Sequence, residues 1–71
     1  MRIQSVTFDK HLWTKAAAQH WLVEHHYKTS FYRKRVEVTA NRLRYRQLAP
    51  KKGARYRIKR LPGGIELVLE V

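Results

Sequence analysis

The side chains that could do chemistry in this sequence are overwhelmingly cations. The nineteen residues from Arg42 to Arg60, RLRYRQLAPKKGARYRIKR, hold nine Arg or Lys and no Asp or Glu. Guanidinium and ammonium groups in such density suit phosphates, to which they give sequence-independent affinity with a steep salt dependence. Other chemistry has little to draw on. Asp9 is the sole aspartate, and neither a Ser/His/Asp set nor paired carboxylates can be traced, so an enzyme is not expected. His11, His20, His25 and His26 raise the question of zinc, which needs three or four converging ligands. His20 and His25 stand five apart and do not share a helix face, so neither a metal nor any other cofactor is expected.

The cations are ordered rather than clustered. Arg42, Arg44 and Arg46 alternate with Leu43, Tyr45 and Gln47, and Arg55, Arg57 and Lys59 alternate with Tyr56, Ile58 and Arg60. Period two assigns alternate side chains to opposite faces of a strand. A charged sheet surface is therefore predicted, with the apolar partners turned inward. Composition agrees. Seventy-one residues, 44% of them hydrophobic, make one small domain spanning 1–71. Sixteen basic against five acidic residues leave a net charge of +11, which costs stability through self-repulsion and calls for a polyanionic partner. Cysteine is absent, so disulfides and thiolate metal sites are excluded. No run approaches a signal peptide's apolar core or a transmembrane span, so a membrane role is not expected and the reading is of a protein used inside a cell.

The elements that must hold these cations follow from patterning. Residues 2–8 read as a strand in which Val6 and Phe8 share a face and Ile3 falls out of step. Thr14 is placed as an N-cap, with Trp13 and Ala18 as a staple. From Lys15 to about His26 a helix should bury Ala17, Ala18, Trp21, Leu22 and His25. A strand over 31–38 turns at Ala40-Asn41, Asn being tolerant of positive φ, which pairs Val38 with Leu43, Val36 with Tyr45, Glu37 with Arg44 and Arg35 with Arg46. After a basic loop of Pro50, Lys51, Lys52 and Gly53 comes a strand from Arg55 to Leu61, a turn at Pro62-Gly63, and a last strand over 64–71. A two-residue turn there sets Ile58 opposite Leu67, Tyr56 opposite Leu69, Lys59 opposite Glu66 and Arg55 opposite Glu70. The predicted class is α+β: a two-layer fold with one helix on a mostly antiparallel sheet of four or five strands, in the order β-α-β-β-β-β.

Trp13-Thr14, Ala17 or Ala18, Trp21-Leu22, His25 and Lys28, followed by Arg44-Tyr45-Arg46-Gln47 and by Gly64-Ile65 with an apolar ending, form a pattern over roughly residues 12–69. It resembles a small α/β domain that recurs in virion structural or maturation proteins of tailed phages and large eukaryotic DNA viruses. The resemblance implies a viral source and a place in the particle within the infected host. It carries no catalytic residues across, and this chain is more basic than that family.

The expected function is accordingly non-enzymatic binding of nucleic acid, double-stranded DNA in the first instance, through sequence-independent phosphate contacts that package or coat a genome. The expected contacts are Arg33, Arg35, Arg42, Arg44, Arg46, Lys51, Lys52, Arg55, Arg57 and Lys59. The alternative is a structural module joining capsid or virion proteins. Tyr45 and Tyr56 are placed in the core, which argues against stacking of single-strand bases. A homodimer is expected on two grounds. Leu12, Trp13, Tyr27, Phe31, Tyr32, Leu48, Leu61 and Val68 find no place in one helix–sheet interface, and the ending IELVLEV would form an exposed edge strand.

Overall fold

A computed structural model describes residues 2–30, 36–49 and 51–71. Six elements follow one another: β1 (Arg2–Asp9), α1 (Lys15–Glu24), β2 (Glu37–Val38), β3 (Arg42–Arg46), β4 (Tyr56–Leu61) and β5 (Ile65–Glu70). The strands form one antiparallel sheet in the order β2-β3-β1-β5-β4, with α1 on one face. The α+β class and the element order predicted from patterning are thus the observed ones. Of the strand expected over 31–38, Glu37–Val38 is observed. Phe31, Tyr32, Arg33 and Arg35 lie outside the described residues, as does the predicted pairing of Arg35 with Arg46.

The core is built around Phe8. Its ring meets Trp13 at 5.1 Å between centroids, Trp21 at 5.6 Å and Tyr45 at 5.7 Å, the last two nearly edge-on. Such tilted arrangements suit the ring quadrupoles and add to the area buried. Val6, Leu43, Ile65 and Leu67 complete the sheet side, and Ala18 and Leu22 the helix side. Ile3 is brought back into step by a bulge at Gln4: Ile3 pairs with Leu69 whereas Ser5 pairs with Val68. The extra residue inverts the alternation and returns Ile3 to the core face. Gln4 is buried yet fully used. Its carbonyl accepts from Gln47 N–H (2.7 Å) and Leu48 N–H (3.1 Å), and its side-chain amide donates to the Leu48 carbonyl.

Thr14 caps α1 as predicted, its hydroxyl accepting from Ala17 N–H at 3.1 Å. At the other end Tyr27 N–H donates to the Leu22 carbonyl and His26 N–H to the Val23 carbonyl, a Schellman closure. The closure needs a left-handed residue, and His26 takes that role at φ 62. The predicted stripe is narrower than drawn: Ala18 and Leu22 are buried and Trp21 is half-buried, whereas Ala17 and His25 are exposed. His25 instead lies flat on Trp21, 3.8 Å away, with Tyr27 parallel to Trp21 at 5.9 Å.

The two hairpins test the register predictions in opposite ways. Between β2 and β3 the loop has two residues, and Glu37 faces Arg44 and Val38 faces Leu43 as expected. Asn41 is not at positive φ; the turn is held by Thr39, whose hydroxyl accepts from Arg42 N–H at 3.0 Å. Between β4 and β5 the loop has three residues, Pro62, Gly63 and Gly64, with both glycines at positive φ. The register therefore moves by one: Ile58 faces Val68, Lys59 faces Leu67, Tyr56 faces Glu70 and Arg60 faces Glu66. One residue of slip exchanges the faces of an entire strand. Arg57 and Lys59 lie on the helix side of the sheet, and Tyr56 and Ile58 on the opposite, outer side.

Two supports of the homodimer also change. β5 is not an edge, because it pairs with β1 on one side and β4 on the other. Trp13, Tyr27 and Leu61 pack on the core of the single chain, and Leu48 and Val68 are half-buried.

Candidate nucleic-acid interface

The three arginines of β3 point to the outer face, as alternation requires, but they lie down on the sheet. Arg42 spans β1 to reach β5. It donates to the Thr7 hydroxyl (2.9 and 3.2 Å), to the Thr7 carbonyl (3.1 Å) and to the Gly64 carbonyl (3.0 Å), and it pairs with Glu66 at 3.5 Å. Arg44 donates to the Gln4 side-chain oxygen at 3.1 Å, and Arg46 pairs with Glu37 at 2.8 Å. This layer covers the polar side chains of the central strand, leaving Ser5 and Thr7 buried. The Ser5 hydroxyl and the Nε groups of Arg44 and Arg46 are enclosed there with no hydrogen-bond partner among the described residues. Arg42, Arg44 and Arg46 thus serve first as the second cover of the sheet, a role that pairs the charge of Arg42 with Glu66 and that of Arg46 with Glu37.

The exposed cations are elsewhere. Lys51 and Lys52 occupy the turn before β4, which Gly53 makes possible at φ 77 in open space. Val71 N–H donates to the Arg55 carbonyl, so the β4–β5 ladder runs one residue further and Arg55 shares the helix-side row with Arg57 and Lys59. Among the described residues none accepts a hydrogen bond or forms an ion pair with the side chains of Lys51, Lys52, Arg55, Arg57 or Lys59. β4 is an outer strand of the sheet, so the row stands at a rim. Of the ten residues singled out from the sequence, then, five gather at one edge, three lie in the internal layer, and Arg33 and Arg35 fall outside the described residues.

Arg60 and Tyr56 were missed. Arg60 pairs with Glu66 at 3.3 Å but its side chain is 86% exposed. Tyr56 stands on the outer side of β4, 41% exposed, beside Ile58 at 62%. Its hydroxyl accepts from Lys51 N–H at 3.4 Å, which ties the ring to the basic turn. The signal was present as Pro62-Gly63-Gly64, a three-residue loop with two residues able to take positive φ. A shallow cavity of about 290 Å³ opens beside the turn, lined by Lys51, Lys52, Gly53, Ala54, Arg55, Glu70 and Val71.

Other groups are occupied structurally. Asp9 organises the turn into α1, its carboxylate accepting from His11 N–H and its carbonyl from Leu12 and Trp13 N–H. His20 pairs with Glu24 at 3.2 Å, and His25 donates from Nδ1 to the Trp21 carbonyl. Among the described residues no three His, Asp or Glu side chains stand together as a metal site.

Comparisons with protein families, with curated proteins and with solved structures give no match.

Proposed function

We propose that this chain is a non-enzymatic nucleic-acid-binding protein acting through sequence-independent phosphate contacts. The observation that carries the reading is the β4 rim. There Lys51, Lys52, Arg55, Arg57 and Lys59 are exposed and unpaired among the described residues of a chain with sixteen cations and five acids. Phosphates are the partner such a rim satisfies best, since each contact releases a condensed counterion. The described helix, α1, carries only Lys15 as a cation, and nothing about it suits groove reading. Binding is therefore blind to sequence. Packaging or coating of a genome in a virion belongs to this proposal through the sequence resemblance alone.

The test is fluorescence anisotropy with random-sequence oligonucleotides over a salt series, on the native chain and on R55Q/R57Q/K59Q. Binding at low salt that falls by orders of magnitude with added salt, and that the triple substitution weakens, is expected. No binding to any nucleic acid at low salt would remove the reading. It would leave the second one, a protein-interaction module whose open β4 edge accepts a strand from an acidic partner.

A further inference from the structure

Resting on the nucleic-acid reading, we infer that the β4 rim is built for single strands rather than for duplex. The observed register gives β4 two unlike sides. On the helix side stand Arg55, Arg57 and Lys59, successive members about 6.8 Å apart at ~3.4 Å per strand residue. The ~3.4 Å rise of a duplex is measured along its axis, and the phosphates of one strand, winding about that axis, stand farther apart than the rise, so the row by itself suits the backbone of a single strand or of a duplex. The other side of β4 separates the two.

On the outer side stand Tyr56 and Ile58, with Val68 beside Ile58 on β5. An aromatic ring and an aliphatic chain of this exposure do nothing for a paired duplex, whose bases are hidden. Unpaired bases have a free π-face, and stacking on an aromatic ring tolerates any sequence. Tyr56 is also held in place, because its hydroxyl is bonded to the backbone of Lys51. A strand lying along the rim would therefore have its backbone over the cations and a base over Tyr56. The core placement of Tyr45 and Tyr56 argues against stacking; it holds for Tyr45, which is buried, and the outward position of Tyr56 removes it there.

The outer face supplies room for the bases without repelling the backbone. Glu66 is drawn onto Arg42 and Arg60, and Glu37 onto Arg46, so two of the three carboxylates described on this side are neutralised by neighbours. Glu70, paired across from Tyr56, is the acid that a phosphate must avoid, which orients the backbone to the helix side.

The experiment compares a random single strand with its duplex by anisotropy at matched salt, using native protein, Y56A, Y56F and R57Q/K59Q. Single strand should bind at least several-fold tighter than duplex. Y56A should weaken single-strand binding roughly tenfold, the size of one stacked base, and leave duplex binding unchanged. Y56F keeps the ring but loses its bond to Lys51, and should retain most of the single-strand binding that Y56A loses, while R57Q/K59Q should weaken both ligands. Unchanged melting of Y56A shows that any loss is not unfolding. Duplex bound as tightly as single strand, or Y56A indistinguishable from native, overturns the inference while leaving phosphate binding intact. Failure of both ligands to bind removes the functional reading itself.

Discussion

At the scale of single residues, many of the positions that define the sequence pattern are occupied by folding tasks. Gln47 is buried and holds the backbone of Lys28 from both sides, accepting from its N–H at 2.7 Å and donating to its carbonyl at 2.8 Å. Gln47→Ala should lower stability by about 1–3 kcal/mol by removing both bonds, measured by urea unfolding. Gly64 sits at φ 79, where an added Cβ would meet Leu12 Cδ1 at 2.9 Å and Asp9 Cβ at 3.1 Å; Gly53, at φ 77, has open space. Both alanine variants carry backbone strain, but Gly64→Ala should be clearly the worse, and equal losses would refute the steric argument. His26 supplies the opposite case: an ordinary residue holds the left-handed position that closes α1. His26→Gly should stabilise the protein by about 0.5–1 kcal/mol, seen as a rise in melting temperature. Tyr45 gives a pH signature. Burial pushes its phenol up, opposed in part by a hydrogen bond with Gln19. A folded value above the unfolded one, near 10, means the neutral phenol is favoured by folding. Its contribution is complete below about pH 10 and is lost as pH climbs through the folded value. Tyr45→Phe should flatten that part of the alkaline stability curve.

At the scale of elements, legibility depended on whether a loop's length could be counted. The helix was readable because Thr14 and the Ala-rich run after Lys15 are local signals, and its cap formed where expected. The β2–β3 hairpin was readable because a two-residue loop keeps cations out of the core in only one register. The β4–β5 hairpin misled because Gly64 can equally start a strand or finish a turn. Only contact with Leu12 and Asp9 decides, and those residues are more than fifty positions away. The arginines of β3 misled for a different reason. Alternation fixes the face of a side chain but not whether it stands into solvent or lies on its neighbours, and Arg42 lies down because Thr7 and Gly64 offer acceptors. The consequence separates two sets of cations that look alike in sequence. Arg42→Gln should lower stability by about 1–3 kcal/mol through the lost hydrogen bonds, whereas R55Q/R57Q/K59Q should leave melting nearly unchanged and reduce binding. If Arg42→Gln melts like native protein while losing nucleic acid, the internal role of that layer is wrong.

For the whole molecule, the question is how a body of 8.5 kDa carries a charge of +11. Self-association through the open β4 edge would align Arg57 and Lys59 of two copies, so the edge is protected by its own charge. Trp13, Tyr27 and Leu61 pack within the chain while Leu12 is 68% exposed, and light scattering of the free protein tests the homodimer expected from sequence: a concentration-independent mass of two chains supports it, and a mass of one chain goes against it. Salt then acts in two directions at once. The ion pairs at Glu66 and Glu37 are weakened by screening, but they are few beside sixteen cations whose mutual repulsion is weakened as well. Because the charges of like sign dominate, screening should favour the folded state. Raising ionic strength from about 10 mM to about 150 mM shortens the Debye length from ~30 Å to ~8 Å, which is below the 11.5 Å radius of gyration. Across that range the melting temperature of the free protein should rise while its affinity for nucleic acid falls, with a logarithmic slope of about −0.7 per phosphate on a single strand. Saturating single strand at low salt should raise the melting temperature too, since it supplies the missing anions directly and binds only the folded rim. A melting temperature that fell with salt would mean that the few ion pairs outweigh the repulsion, and that the charge needs no partner to be tolerated.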